Sequence, residues 1–584
     1  MRAQALSLLK FLRSSPQFAV PIYQRTYSWS IGHCEQLWND VLRVGGNPRV
    51  SAHFIGSIVY IEKELPLVGS PSALLIIDGQ QRVTTASILL EALARAVGSD
   101  EPLDGFSASK IRNHYLLDPE ESGDRRYKLL LTQTDRTTLI ALAGQQPIPY
   151  DASLRVMENF KHFCFRIAEL NGQFQTLCCG LAKLMIVEVA LQRGQDNPQL
   201  IFESMNSTGL ALSQADLIRN FVLMGQETDE QTRLYQNYWR PMEERFGQDA
   251  YKWAFDGFMR HYLTFKTRRI PNIGEVYREF KAYLAEQNLT VAVVLADIHA
   301  HAGYYAAMAL KQESDPTLAV AFADLRELTV DVAYPFLLEI YHDYRQGLLP
   351  KADFVAAVRL VAVYVLRRAV CGVPTNTLNK TFASFAQPLD KSCYLDSIKA
   401  RFVSLTGRYR FPDDAEFGHG LKTNSLYRTR ALRFLLRHLE NQGRKEPVSV
   451  ADFTIEHILP QNTDLSMEWR DDLGPDWQNV QATWLHTLGN LTLTGYNSEY
   501  SDRPFLEKRD MPGGFAQSPL LLNQGLGQLE AWNEQTIKER GDRLAQQALG
   551  IWPLPKLTAA LGRPEMFGPL VKPDSEEDEE VPDA

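Results

Sequence analysis

The spacing of apolar residues changes twice along the chain, and those changes decide what it can fold into. Within residues 1–225, the runs HFIGSIVYIE (53–62), ALLIID (73–78) and KLMIVEVAL (183–191) are rich in β-branched and aliphatic residues and bounded by turn formers. Such short apolar runs predict buried strands. Amphipathic stretches follow them, for example VTTASILLEALARAV (83–97), so this region is expected to be an α/β unit. From 226 to 407, apolar residues recur every three or four positions through DEQTRLYQNYWRPMEERF, DAYKWAFDGFMRHYLTF and FVAAVRLVAVYVLRRAV, which predicts a helical connecting domain. In 408–552, Trp469, Trp477 and Trp484 stand close together among short strand-like, turn-rich segments. Residues 553–584, rich in Pro and then in Asp and Glu, predict a disordered tail. The expected fold class is multidomain, helix-rich α+β, since 584 residues are too many for one core.

Charge does not decide the partner. The net charge is −9, but seven acidic and no basic residues lie between Pro573 and Ala584, which leaves −2 for the rest. A near-neutral body can still hold a basic cleft for nucleic acid. The six cysteines show no C-x-x-C pair and no regular spacing, against a zinc ribbon or a disulfide framework. The N-terminal apolar stretch is interrupted by Lys10 and Arg13, and no run of about 18 uncharged apolar residues occurs. The expectation is a reduced, cytoplasmic protein with no membrane partner.

The chemistry-bearing segment is TIEHILPQN (454–462), followed some thirty residues later by LGNLTLTGYNSEYSDRPFLEKR (488–509). Phosphodiester hydrolysis needs a base for water and a cation to neutralise charge on the leaving oxygen. His457 has a pKa near working pH and is the candidate base, while Glu456 and Asn497 offer oxygen ligands for a hard cation such as Mg2+. A lone His beside a carboxylate is commonly a satisfied structural residue; here it stands with Pro460, the tryptophan cluster and the Asn-containing continuation. The spacing resembles that of the His-Me finger, or HNH, nucleases. That resemblance implies a ββα-metal fold with His457 as general base, Glu456 as adjacent metal ligand, Asn490 fastening the connecting loop, Asn497 on the helix, and Lys508 near a phosphate. Upstream, SLYRTRALRFLLRHLENQGRK (425–445) predicts a helix carrying Arg428, Arg430, Arg433, Arg437, Arg444 and Lys445, either facing DNA or bracing the domain.

Two further motifs lie near the N-terminus. The run ALLII ends in Asp78-Gly79-Gln80-Gln81-Arg82, where a helix starts, so backbone N–H groups and Arg82 converge where an anion would sit. It is not a Walker P-loop, and a strand-Asp-Gly-helix turn is often structural. In FAVPIYQRTYSWS (18–30), Tyr23, Tyr27 and Trp29 with Gln24 and Arg25 form a set suited to gripping a base or a modified DNA group. The plain alternative is an N-terminal strand packed on the core.

These motifs, with KLLLTQTD (128–135) and IFESMNSTGLALSQADLIRNFVL (201–223), occur in the order found in GmrSD-like and SspE-like restriction proteins. The resemblance covers both ends of the chain and only weakly the helical middle. It implies a modification-dependent, type IV-like restriction endonuclease in bacterial anti-phage defence. The N-terminal domain is then ParB- or sulfiredoxin-like, with Asp78, Gly79, Gln80, Gln81 and Arg82 binding and hydrolysing a nucleoside triphosphate (GTP, UTP or ATP). Tyr23, Gln24 and Arg25 would sense a DNA modification such as phosphorothioate, with Phe202, Glu203, Asn206 and Gly209 in support. Double-stranded DNA is the expected partner, and a homodimer is left open. The competing readings are a nucleotide-hydrolysing switch and a DNA-binding regulator without nuclease activity.

Overall fold

The computed structural model describes residues 1–15, 17–62, 73–192, 195–206, 212–386 and 389–557. Gly209 and the greater part of the expected tail, 558–584, lie outside the described residues. Packing divides the chain into two compact units, Met1–Pro241 and Met242–Ala584. The first extends past the expected boundary at 225 because Tyr235 and Trp239 are buried, with Tyr235 accepting a hydrogen bond from Gln133. The second joins what the sequence divides near 408: the buried Arg367 donates to the carbonyls of Pro412 and Trp552, and Arg437 pairs with Asp324 and Glu327.

The first unit is built on a mixed six-stranded sheet. Its strands are β1 (Arg2–Ser7), β2 (Phe18–Ala19), β3 (His53–Glu62), β4 (Leu74–Asp78), β5 (Leu129–Leu130) and β6 (Leu184–Leu191), in the order β1-β6-β3-β4-β2-β5. The three apolar runs of the sequence are thus β3, β4 and β6, neighbours at the centre of the sheet. Strand β1, not foreseen from the sequence, pairs antiparallel with β6 from Arg2↔Ala190 to Ser7↔Met185. Against the sheet lies α1 (Gln80–Val97), almost wholly buried, packed on α2 (Leu154–Ala168). The helix α3 (Gln214–Met224), capped by the Ser213 hydroxyl, brings Asp216 and Arg219 toward Tyr23.

The second unit is helical until its last third. Its long central helix α4 (Lys351–Val370) buries Arg367 and Arg368, each donating to several backbone carbonyls, and α5 (Ala431–Asn441) lies beside it. A two-stranded sheet follows, β7 (Thr454–His457) antiparallel to β8 (Leu491–Thr494). After it come the short helices α6 (Asn497–Tyr500) and α7 (Phe505–Asp510), and the terminal helix α8 (Glu534–Ile551).

Two four-residue strands have little stability alone; a core supplies it. Trp469 and Trp532, both fully buried, pack with Ile458, Leu459, Tyr500, Phe505 and Ile537. Each such ring removes about 150–250 Å² from water, about 4–6 kcal/mol gross at roughly 25 cal/mol per Å². No helix among the described residues is long and apolar enough to cross a membrane.

Candidate functional site

Alternation along a strand sends successive side chains to opposite faces, and β7 separates its two candidate residues in this way. His457 turns toward His486, with Nε2 3.0 Å from His486 Nδ1. Glu456 turns toward α7, where Lys508 Nζ donates to its Oε1 at 2.7 Å and to the carbonyls of His457 and Ile458 at 3.2 and 3.1 Å. Lys508 is wholly buried and Glu456 nearly so. Burial pushes the carboxyl of Glu456 up and the ammonium of Lys508 down, each opposed by the other's charge. One expectation is corrected here. Lys508 braces α7 against β7 and has no access to a phosphate. Glu456 gives one carboxylate oxygen, Oε1, to Lys508 and faces away from His457, while its Oε2 carries no hydrogen bond among the described residues.

The two asparagines hold the geometry. Asn490 is fully buried and makes four hydrogen bonds: Oδ1 accepts from the Leu459 amide at 2.7 Å and from Trp532 Nε1 at 3.0 Å, and Nδ2 donates to the carbonyls of Leu459 and Leu485. From that buried position it ties the Leu459 backbone to the Leu485 carbonyl. Asn497 donates from Nδ2 to Ile455 O at 3.1 Å, tying α6 to β7, and its Oδ1 carries no hydrogen bond among the described residues. Each member of the expected ligand pair thus keeps one oxygen without a hydrogen bond among the described residues, Oε2 of Glu456 and Oδ1 of Asn497. Among the described residues, no group of three or more His, Cys, Asp and Glu side chains is disposed to hold a metal.

The loop is fixed again from α8. Arg540, buried, donates to the carbonyls of Leu488, Gly489 and Leu491 at 2.8–3.1 Å and to that of Leu522. A Cβ on Gly489 would stand 2.2 Å from Ile537 O, so the Gly of Leu-Gly-Asn is required for the close approach of α8.

His486 and Tyr427 are site residues that sequence reasoning missed. Tyr427 stacks on His486 (5.3 Å, 8°) and stands edge-on to His457 (4.3 Å, 66°). The available signal was a second His four residues before Asn490. Burial, then the neighbouring His486 and Lys508, hold the His457 imidazole down at about 3, which corrects the expectation of a pKa near working pH and leaves the ring neutral there. Its Nδ1 has no hydrogen bond among the described residues and is not one of the buried polar atoms left unpaired, so it opens to solvent.

The expected basic helix is shorter than predicted and divides its arginines. Arg433 bonds the carbonyls of Val450, Ala451 and Phe453, Arg437 pairs with Asp324 and Glu327, and Arg444 pairs with Glu440, so these three brace the domain. Arg428 and Arg430, in the turn before α5, are exposed with no ion pair among the described residues. Arg428 is close enough to His486 to depress its imidazole, after burial.

In the first unit, the two N-terminal motifs form one structure. Gln24 donates to Ile77 O and accepts from Gln80 Nε2, while Gln81 Oε1 accepts from the amides of Ser28 and Trp29 at 2.8 and 3.2 Å. Gln80 and Gln81 are buried and committed to these bonds, which corrects their assignment as phosphate donors. Tyr23 and Tyr27 are buried too, each 5% exposed; Tyr27 OH bonds Thr85 and Asn159. Tyr23, Gln24 and Tyr27 are core residues here, not faces for a base, although the segment 20–30 is irregular chain and not a strand. Trp29 is half-buried against His33.

What remains open is a charged mouth at the end of β4. Gly79 takes φ 92° with its Cα position backed by Ser57 O, which lets α1 start abruptly after Asp78. Arg82 donates to Ser57 O at 3.0 Å and lies 3.9 Å from Asp78; its guanidinium rests on Gly56, where a Cβ would be 2.7 Å away. Arg25, half-buried, carries no hydrogen bond among the described residues, and its neighbouring charges are Asp216, Arg219 and Asp78. Phe202 packs under this sheet beside Val59 and Ile77, whereas Glu203 bonds Gln199; the side chain of Asn206 lies outside the described residues.

Residues 7–223 match the family model for the N-terminal domain of GmrSD restriction endonuclease, and residues 411–547 match that for the C-terminal domain of GmrSD restriction endonucleases. No curated protein matches the chain.

Proposed function

Because the chain belongs to the GmrSD restriction endonuclease family, we propose that it hydrolyses DNA phosphodiesters at His457. In this reading a nucleoside triphosphate at the Asp78–Arg82 turn controls cutting, and a DNA modification decides which DNA is cut in defence against phage. The observation that carries the nuclease reading is the placement of His457: a neutral imidazole at the end of β7, one ring nitrogen bonded to His486 and the other open, with the exposed Arg428 near enough to act on His486. The strand pair followed by a short helix pinned through Asn497 supports the resemblance to a ββα nuclease.

A neutral imidazole takes the proton of an attacking water, and a guanidinium holds the phosphate under attack. Arg428→Ala is expected to weaken DNA binding across sequences and to lower the salt slope of binding by about 1, read by titrating DNA at several ionic strengths. An unchanged slope removes Arg428 from the DNA interface. Divalent-ion dependence is proposed from family resemblance alone. Glu456 gives one oxygen to Lys508, and no step is assigned to a cation.

The nucleotide reading rests on Gly79, the start of α1, and the cationic side chains of Arg82 and Arg25. Arg82→Ala is expected to lower triphosphate turnover by about a hundredfold, the effect of removing one preorganised contact to developing charge, and Asp78→Ala to lower it too by releasing the guanidinium that lies 3.9 Å away. Unchanged turnover in both variants rejects it. The whole reading is tested by plasmid nicking with modified and unmodified DNA, in magnesium and in EDTA. Binding without cleavage of any substrate would instead support a regulator.

A further inference from the structure

We infer that His486 is the positioning residue for His457, accepting a hydrogen bond from its Nε2–H and so keeping Nδ1 free as the proton acceptor. This rests on the reading of His457 as the base. One proton can lie between two imidazole nitrogens 3.0 Å apart. If His457 supplies it, its other nitrogen is bare, and that nitrogen is the one open to solvent. Were the proton supplied by His486, Nδ1 of His457 would carry a hydrogen in the neutral ring and could accept none.

The surroundings favour the acceptor role. A carboxylate commonly orients a catalytic imidazole, but the adjacent carboxylate, Glu456, is on the opposite face with Lys508. No Asp or Glu bonds His457 among the described residues. The ring of His486 is held by one neighbour and its backbone by two. Tyr427 stacks on it, its carbonyl accepts from the Leu426 amide at 2.8 Å, and the preceding carbonyl, Leu485 O, accepts from Asn490. The residue that fastens the loop of His457 therefore also fixes its partner.

In the reaction, the proton of water passes to His457 Nδ1 as the water oxygen bonds phosphorus. The bridging P–O bond breaks, and the leaving alkoxide takes a proton from solvent. No proton moves to His486; its bond from the imidazolium Nε2–H becomes charge-assisted and strengthens at that moment. His486 thus acts on the turnover step more than on binding.

The test compares His486→Leu, which can neither donate nor accept, with His486→Asp, which only accepts, on a supercoiled plasmid that the unaltered chain nicks. The leucine variant is expected to lose about a hundredfold in kcat with KM and DNA affinity little changed, and the aspartate variant to recover to within about tenfold of the original. Should the leucine variant fail to fold, His486→Ala in the same comparison replaces it. Full activity without a side chain acceptor overturns the inference, as does an aspartate variant as inactive as leucine while still binding DNA. If His457→Ala is inactive and His486→Leu fully active, this inference fails alone; if His457→Ala still cuts, the base assignment has failed.

Discussion

His457→Ala is expected to reduce plasmid nicking by about 10³-fold or more while DNA affinity and nucleotide turnover persist. General-base catalysis contributes typically about 10²–10⁴ in rate. His486 is the nearest candidate to replace it, but its Nδ1 already faces His457. The fold should tolerate the change: the ring contributes one side-chain hydrogen bond, while Asn490, Arg540 and Trp532 hold the loop. Near-normal melting with lost cutting is the expected pair of results. Retained cutting places the chemistry elsewhere.

Lys508→Met is expected to cost about 3–5 kcal/mol of stability, the usual consequence of removing one member of a buried ion pair. The loss is larger than that of a surface pair because Glu456 would be left charged and buried, and the carbonyls of His457 and Ile458 would each lose a donor. Thermal or denaturant unfolding of the C-terminal half reads it directly. The double change Glu456→Leu with Lys508→Met should recover much of the loss, since no lone charge remains. If instead Lys508→Met folds normally and only DNA affinity falls, Lys508 is a phosphate contact after all. If Glu456→Gln folds normally and abolishes divalent-ion-dependent cutting, the carboxylate has a role at the metal that its bond to Lys508 does not suggest.

The sequence was legible where one periodicity acts alone. The runs at 53–62, 73–78 and 183–191 became the three central strands of the sheet, and the stretches at 83–97 and 354–370 lie within α1 and α4. Strand β1 was not legible because RAQALS has no apolar alternation; it is an exposed edge strand held by the backbone register with β6. In the site, His457 and the two asparagines could be picked out by spacing, since motif order survives as chain order. The direction of each side chain could not. Glu456 and His457 are neighbours in sequence, and only the pairing of β7 with β8 shows that they face apart. Tyr23, Gln24, Gln80 and Gln81 have the chemistry of ligand contacts, and only burial shows them bonding one another's segments. His486 escaped because its partner lies 29 positions away.

Arg540 gives the chain an order of assembly. Three of the carbonyls it satisfies belong to 488–491, yet the arginine is made some fifty residues later. While the chain is being synthesised, the hairpin that carries His457 has neither this donor nor the glycine-tight backing of Ile537. A polypeptide interrupted before that helix emerges would hold every residue of the cutting motif in an unbraced loop. On the proposed reading such fragments would not cut, and a cell would meet the activity only in a nearly finished molecule.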